Sequence, residues 1–131
     1  MNKTFHLFDT FNGLEPELIT DEEKQKLTDA LVKAADDQIS KLEKDIEKYL
    51  IKRIKQSSGL CYKWQSTITG VPDRIIILNS QIRFVELKTA TGRLSPRQEV
   101  VFDELGEAGF PVHIIRSKED VDDFITEITA P

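Results

Sequence analysis

The sequence predicts a mixed α/β fold of the α+β kind, ordered helix, three strands, helix, strand, helix. Three observations predict it. Apolar residues recur at helical spacing from about residue 20 to residue 56, and after Gly59 they switch to short β-branched runs. Ser95-Pro96 and Ser117 each open a further helical pattern. The 131 residues, 39% of them hydrophobic, supply one core and too little for two.

Residues 1–19 read as an irregular arm. Phe5, Leu7, Phe8, Phe11 and Leu14 are apolar, but Asn12-Gly13 and Pro16 interrupt any long element. Thr20-Asp21-Glu22-Glu23 matches a capping box, a hydroxyl followed three residues later by glutamate. No Gly or Pro follows until after Gln56. Leu27, Ala30, Leu31, Ala34 and Ala35 form one apolar stripe, and Ile39, Leu42, Ile46, Leu50 and Ile54 another. Residues 35–38 are the weakest stretch, so either a break there or one long helix is expected. Ser57-Ser58-Gly59 ends it.

Residues 60–64 form a short strand candidate. Residues 74–78, with three consecutive isoleucines, read as a strand buried on both faces. Asn79-Ser80-Gln81 is a tight turn, and residues 82–88 pair back antiparallel. After a loop containing Gly92, Ser95 caps a helix with Pro96 at its first position, ending at Gly106 or Gly109. Residues 111–115 make a fourth strand. Ser117 caps a last helix with Val121, Phe124, Ile125 and Ile128 on one face.

Charge is segregated along the chain. The net charge is −5, yet residues 41–98 carry twelve basic and five acidic side chains while both flanks are strongly acidic. Such a distribution builds one basic face on an acidic protein, the footprint a polyanion requires. Cys61 is the one cysteine, which excludes an intramolecular disulfide framework and argues against a cysteine zinc site. No apolar run approaches the ~20 residues of a membrane span, and no signal peptide is apparent, so a cytoplasmic location is expected. Phosphate-binding glycine loops and a Gly-x-Ser-x-Gly elbow are absent, and His6 and His113 lack metal-ligand spacing.

The chemistry concentrates in the second and third strands. In Phe84-Val85-Glu86-Leu87-Lys88, alternation puts Phe84, Glu86 and Lys88 on one face. A surface salt bridge, worth roughly 0–1 kcal/mol, is the bland explanation. The sharper one is a metal-dependent phosphodiester site, in which the carboxylate binds a hard cation and the ammonium orients water. Gly70-Val71-Pro72-Asp73-Arg74 adds an aspartate at the mouth of the isoleucine run. A hairpin of these lengths brings Asp73 near Glu86, and a divalent cation relieves the repulsion of two such carboxylates. Gly70 is expected to let a phosphate backbone approach.

Pro72-Asp73 with Glu86-Leu87-Lys88 resembles the PD-(D/E)xK nuclease motif. Together with Gly92-Arg93-Leu94-Ser95 and Gln98, these residues resemble the virus-type replication-repair nuclease (VRR-NUC) domain. The resemblance covers roughly residues 43–125, which places an arm and helical extension at 1–40 and a nuclease domain at 41–131. It implies a restriction-endonuclease-like αβββαβ core and Mg²⁺- or Mn²⁺-dependent hydrolysis of DNA, leaving a 5′-phosphate and a 3′-hydroxyl. Among its branches, the chain is similar to the stand-alone phage and bacterial kind. That kind implies a homodimeric, Holliday-junction-resolvase-like enzyme in a bacterial or phage-infected cell.

The resemblance assigns metal ligation to Asp73, Glu86 and the Leu87 carbonyl, and water activation to Lys88. It adds a carboxylate from the first helix, Glu47 or Glu43, with Glu47 favoured for lying sixteen residues before Lys63. Gln98 would bond water or the metal shell. Lys63 and Ser66 are further candidates near the site, Lys63 to hold a phosphate, and Arg74, Arg93 and Arg97 fit phosphate contacts. Trp64 is read as core, and Cys61 as a strand residue and no nucleophile. Three rivals stand beside the resolvase: a flap or single-strand nuclease, a non-catalytic DNA-binding module on the same fold, and a homodimeric interaction protein built on the long helix.

Overall fold

The computed structural model describes residues 19–131. The expected arm therefore lies, except for Ile19, outside the described residues, as does His6. The elements are α1 (Asp21–Gln56), β1 (Leu60–Lys63), β2 (Arg74–Leu78), β3 (Gln81–Leu87), α2 (Pro96–Glu107), β4 (Val112–Ile115) and α3 (Lys118–Thr129). The order is the expected one, and the strand ends shift by one residue. Trp64 and Lys88 fall just beyond their strands, Gln81 opens β3, and Pro111 precedes β4.

The chain divides into two units after Gln38. In the first, Thr20 caps α1. Its hydroxyl accepts the Glu23 N–H at 3.1 Å and donates to Glu23 Oε1 at 3.1 Å. No break occurs at residues 35–38, and α1 is one helix. The first apolar stripe stays exposed, Leu27 at 60% and Leu31 at 72%. Burial along α1 is confined to Ile46, Leu50 and Ile54, in the second unit.

The second unit carries a sheet ordered β1-β2-β3-β4. β1, β2 and β3 are antiparallel neighbours, whereas β4 runs parallel to β3, with α2 in the connection between them. Ser58 takes the left-handed conformation at the end of α1, and the Gly59 N–H returns to the Ile54 carbonyl at 2.9 Å. Between β2 and β3, Asn79 and Ser80 both have positive φ (52° and 61°), the backbone of a two-residue hairpin turn.

Alternation and register sort the sheet into two faces. On one, Ile76, Leu78, Val85, Leu87 and Ile115 meet Leu50 and Ile54 of α1 and Val121, Phe124, Ile125 and Ile128 of α3, forming the core. The other face holds Ile75, Ile77, Phe84 and Glu86. Ile75 and Ile77 are only half-buried, which corrects the expectation that β2 is buried on both sides. The reason is that α2 covers this face beside β4, leaving Leu60, Tyr62 and Ile82 exposed. Trp64 lies against Phe84 at 5.0 Å between ring centres and is partly buried, on the face opposite the core, which corrects its reading as a core residue: Lys63, its neighbour, shares the core face with Arg74, so alternation turns Trp64 away.

Candidate active site

The β2–β3 register builds the site. Arg74 pairs with Val85, so the next step outward sets Asp73 against Glu86. Here the aspartate side chain replaces a ladder bond, and its Oδ2 accepts the Leu87 N–H at 2.9 Å. Pro72, fully buried, precedes it. One residue past β3, the Lys88 N–H donates to the Ile115 carbonyl at 3.0 Å, so Lys88 starts from a backbone held by β4.

Glu86 is 2% exposed. Its Oε2 accepts from Gln98 Nε2 at 2.9 Å and lies 3.5 Å from Lys88 Nζ. Its Oε1 is buried with no hydrogen-bond partner. Burial first, and the Asp73 charge second, push the Glu86 carboxyl up to about 7, while Lys88 and Gln98 pull the other way.

Gln98 reaches Glu86 because Ser95 caps α2. The Gln98 N–H donates to Ser95 Oγ at 3.1 Å, and the Ser95 N–H donates to Gln98 Oε1 at 2.9 Å, a full capping box. Gln98 thus bonds the carboxylate of Glu86, one of the expected metal ligands.

The structure thus brings together Asp73, Glu86, Leu87, Lys88 and Gln98. Glu47 does not join them. Arg74, next to Asp73 but on the opposite sheet face, donates from Nε to Glu47 Oε2 at 3.1 Å, and its Nη2 forms an ion pair with the same oxygen at 3.1 Å. Strand alternation is the cause: α1 lies on the core face, where Arg74 points, and Glu86 points away. Glu43, one turn earlier, is half-buried. Among the described residues no group of three or more His, Cys, Asp or Glu side chains surrounds a single point.

The expected phosphate contacts divide similarly. Arg74 is largely covered by its pairing with Glu47. Lys63 is exposed but lies opposite Arg74 in the register, on that residue's side of the sheet. Ser66 Oγ accepts the Ile68 N–H at 2.9 Å and so shapes its own loop. Arg97 is exposed and donates from Nε to the Thr69 carbonyl at 3.2 Å, while Arg93 is exposed at the turn after Lys88. Gly70 (φ 98°) lies close against α2: a Cβ there would meet the Arg97 carbonyl oxygen at 2.8 Å. The glycine lets this loop close onto α2.

Cys61 is half-buried, and burial pushes its thiol pKa up, which disfavours the thiolate a nucleophile needs. His113 lies against Phe124, 4.9 Å between rings, and burial lowers its pKa. Arg116 escaped the sequence reading although it touches the loop after Lys88. It is one arginine just beyond β4, with no local pattern to mark it.

Two facing carboxylates, one orphaned oxygen and an adjacent lysine thus stand together at one end of the mixed sheet. The sequence matches the VRR-NUC domain family over residues 12–119, and the chain belongs to that nuclease family. The match begins at residue 12, inside the stretch expected to lie outside the resemblance, and stops short of residue 125. The chain is 34% identical over 79 residues to a protein named "Putative nuclease p44" of Acyrthosiphon pisum secondary endosymbiont phage 1, covering 59% of this chain and 85% of that one. It is also similar to a solved structure described as "VRR_NUC domain", with a TM-score of 0.60 and 29% identity over 63% of this chain and 92% of the other. Among the described residues no helix is long and apolar enough to cross a membrane.

Proposed function

We propose that this nuclease is a Mg²⁺- or Mn²⁺-dependent DNA endonuclease that acts on branched, junction-like DNA as a homodimer. The observation that carries the metal is Glu86 Oε1, a carboxylate oxygen buried beside Asp73 without a donor. Such an atom is costly unless a partner arrives, and a hard divalent cation is the partner two carboxylates fit. Asp73, Glu86 and the Leu87 carbonyl would hold it. Two carboxylates suffice for Mg²⁺, which keeps several waters and takes substrate phosphate oxygens as further ligands. When bound, such a cation stabilises charge on phosphate and makes water more acidic.

The remaining work belongs to this chain's side chains. Lys88, anchored through its backbone and beside Glu86, places a positive charge where the attacking water and the scissile phosphate meet. Gln98 holds Glu86 by Oε2 and leaves Oε1 for the metal. Arg93 and Arg97, on exposed ground flanking the site, are suited to backbone phosphates. Glu47 is assigned to holding Arg74, and it would reach the metal only by leaving that partner.

Branched DNA is favoured because a four-way junction is two-fold symmetric and resolving it takes two opposed cuts. One chain has one such site, and a two-fold dimer supplies the pair. The exposed Leu27 and Leu31 of α1 offer apolar surface for assembly. The phage source of the p44 relative favours the cytoplasm of a bacterial or phage-infected host.

The test is a panel of labelled junction, flap, duplex and single-stranded DNAs incubated with Mg²⁺, Mn²⁺ or EDTA. Paired, metal-dependent cuts in the junction are expected. Cutting confined to flaps or single strands would replace the resolvase reading, and cutting in EDTA would remove the metal.

A further inference from the structure

Lys88 is held at its backbone by β4, and the turn that follows it borders its side chain. Residues 89–92 form a tight turn closed by the Gly92 N–H on the Thr89 carbonyl, 3.1 Å. Arg116 binds both ends of that turn. Its Nη1 donates to the Thr89 carbonyl at 2.8 Å and to the Gly92 carbonyl at 2.7 Å. The Arg116 backbone is fixed in turn, its N–H donating to Asp120 Oδ2 at 2.8 Å in the first turn of α3. Gly92 sits against the lysine stem: a Cβ built there lies 3.5 Å from Lys88 Cδ and 3.2 Å from Thr89 Oγ1. Hydrogen bonds therefore run from α3 through Arg116 to the turn, and Gly92 of that turn leaves open the space beside the Lys88 stem that a Cβ would share.

We propose that Arg116 is a positioning residue for Lys88, acting through the 89–92 turn without touching DNA or metal. A four-methylene ammonium has many rotamers, and fixing it before substrate arrives removes an entropy cost from the reaction step. One guanidinium nitrogen shared by the Thr89 and Gly92 carbonyls, with the Ala90 carbonyl at 3.5 Å, holds the turn in a single shape. That shape leaves room for the Lys88 stem on the Gly92 side and aims Nζ toward Glu86. The inference rests on the proposed role of Lys88 in cleavage.

The test compares Arg116→Gln, Arg116→Lys and Gly92→Ala with the wild type under single-turnover conditions with Mg²⁺. Arg116→Gln should slow cleavage about 10–100-fold at saturating DNA, with DNA affinity changed less than about twofold. Arg116→Lys, which keeps a charged donor, should recover part of the rate. Gly92→Ala, whose added methyl presses on Thr89 Oγ1 at 3.2 Å and so disturbs the same turn, should reproduce the rate loss with unchanged affinity. Hydrogen exchange at the Gly92 amide should quicken in Arg116→Gln, and this readout does not depend on activity. A fall in DNA affinity with a salt slope reduced by about one would make Arg116 a phosphate ligand and overturn the proposal. An unchanged rate in Arg116→Gln and in Gly92→Ala overturns it as well. Full activity of Lys88→Ala, run in parallel, would instead fail the underlying role of Lys88, so the two failures are distinct.

Discussion

Gln98 Nε2 donates to Glu86 Oε2 at 2.9 Å, and the amide cannot be turned around. Its Oε1 receives the Ser95 N–H, a group that only donates, so the NH₂ end must face the carboxylate. A helix cap thereby selects which oxygen of Glu86 is occupied and which stays open. Because this bond lowers the Glu86 pKa, its removal raises it. A metal competes with the proton on Glu86. Gln98→Ala should therefore weaken Mg²⁺ or Mn²⁺ binding about 10–100-fold near pH 7 and recover much of it at higher pH. Calorimetric titration at pH 6.5 and 8.5 checks this; equal losses at both would contradict it.

The Glu86 carboxyl, raised from the ordinary 4.5 to about 7, also makes stability depend on pH. Between those values the metal-free native protein keeps a proton that the unfolded chain has released. Stability is thus fullest below the ordinary value and declines as pH rises toward about 7. Glu86→Gln removes this loss. The variant should exceed the wild type by on the order of 1–3 kcal/mol at pH 8 without metal, and match it at pH 4. Mg²⁺ should raise the wild type and leave the variant unmoved, since it binds only the native carboxylate pair. Urea unfolding at both pH values, with and without Mg²⁺, reads all of this.

Lys88→Ala should abolish cleavage while DNA binding persists, because a group placed at the attacking water acts mainly in the transition state. Gel-shift affinity beside single-turnover rates separates the two. Wild-type cutting by the variant would remove Lys88 from the mechanism.

Salt dependence sorts the arginines. Affinity should fall steeply with ionic strength, as each neutralised phosphate releases counterions. Arg93→Ala and Arg97→Ala should each lower the log–log slope by about one. Arg74→Ala should leave the slope alone, since its guanidinium is committed to Glu47. A slope change in Arg74→Ala would mean that this pair opens on DNA.

What the sequence made legible was local. The caps at Thr20, Ser95 and Ser117, the Asn79-Ser80 turn and the face shared by Glu86 and Lys88 follow from spacing and turn chemistry. So does the approach of Asp73 to Glu86, which a short hairpin enforces. What escaped it depends on pieces distant in sequence. Whether Glu47 faces Asp73 or Arg74 turns on which sheet face α1 covers, and no helical pattern carries that information. The close approach of Gly70 to α2 leaves no local mark, because the Arg97 carbonyl beside it lies 27 residues away. Arg116 finds its partners 24 to 27 residues upstream, as main-chain carbonyls, and carbonyls leave no mark on a sequence.

The last prediction concerns assembly. In the described part of the first unit, Leu27 is 60%, Leu31 72% and Val32 55% exposed, on a helix held at its start by a good cap. Exposed leucines repeated along one helix are a liability in a monomer and an asset at an interface. A two-fold dimer would use the same patch from both copies, because such interfaces are self-complementary. Light scattering at micromolar concentration should therefore give about 30 kDa, twice the 15.0 kDa chain. Leu27→Asp with Leu31→Asp should return it to the monomer mass without altering Asp73, Glu86 or Lys88. If paired cutting depends on two sites in one complex, the double variant should still nick a junction but lose the coordinated second cut. A cruciform plasmid distinguishes these outcomes, since one nick relaxes it and two concerted cuts linearise it. A wild-type monomer that nicks without linearising would exclude the dimeric resolvase and leave a flap or single-strand nuclease in its place.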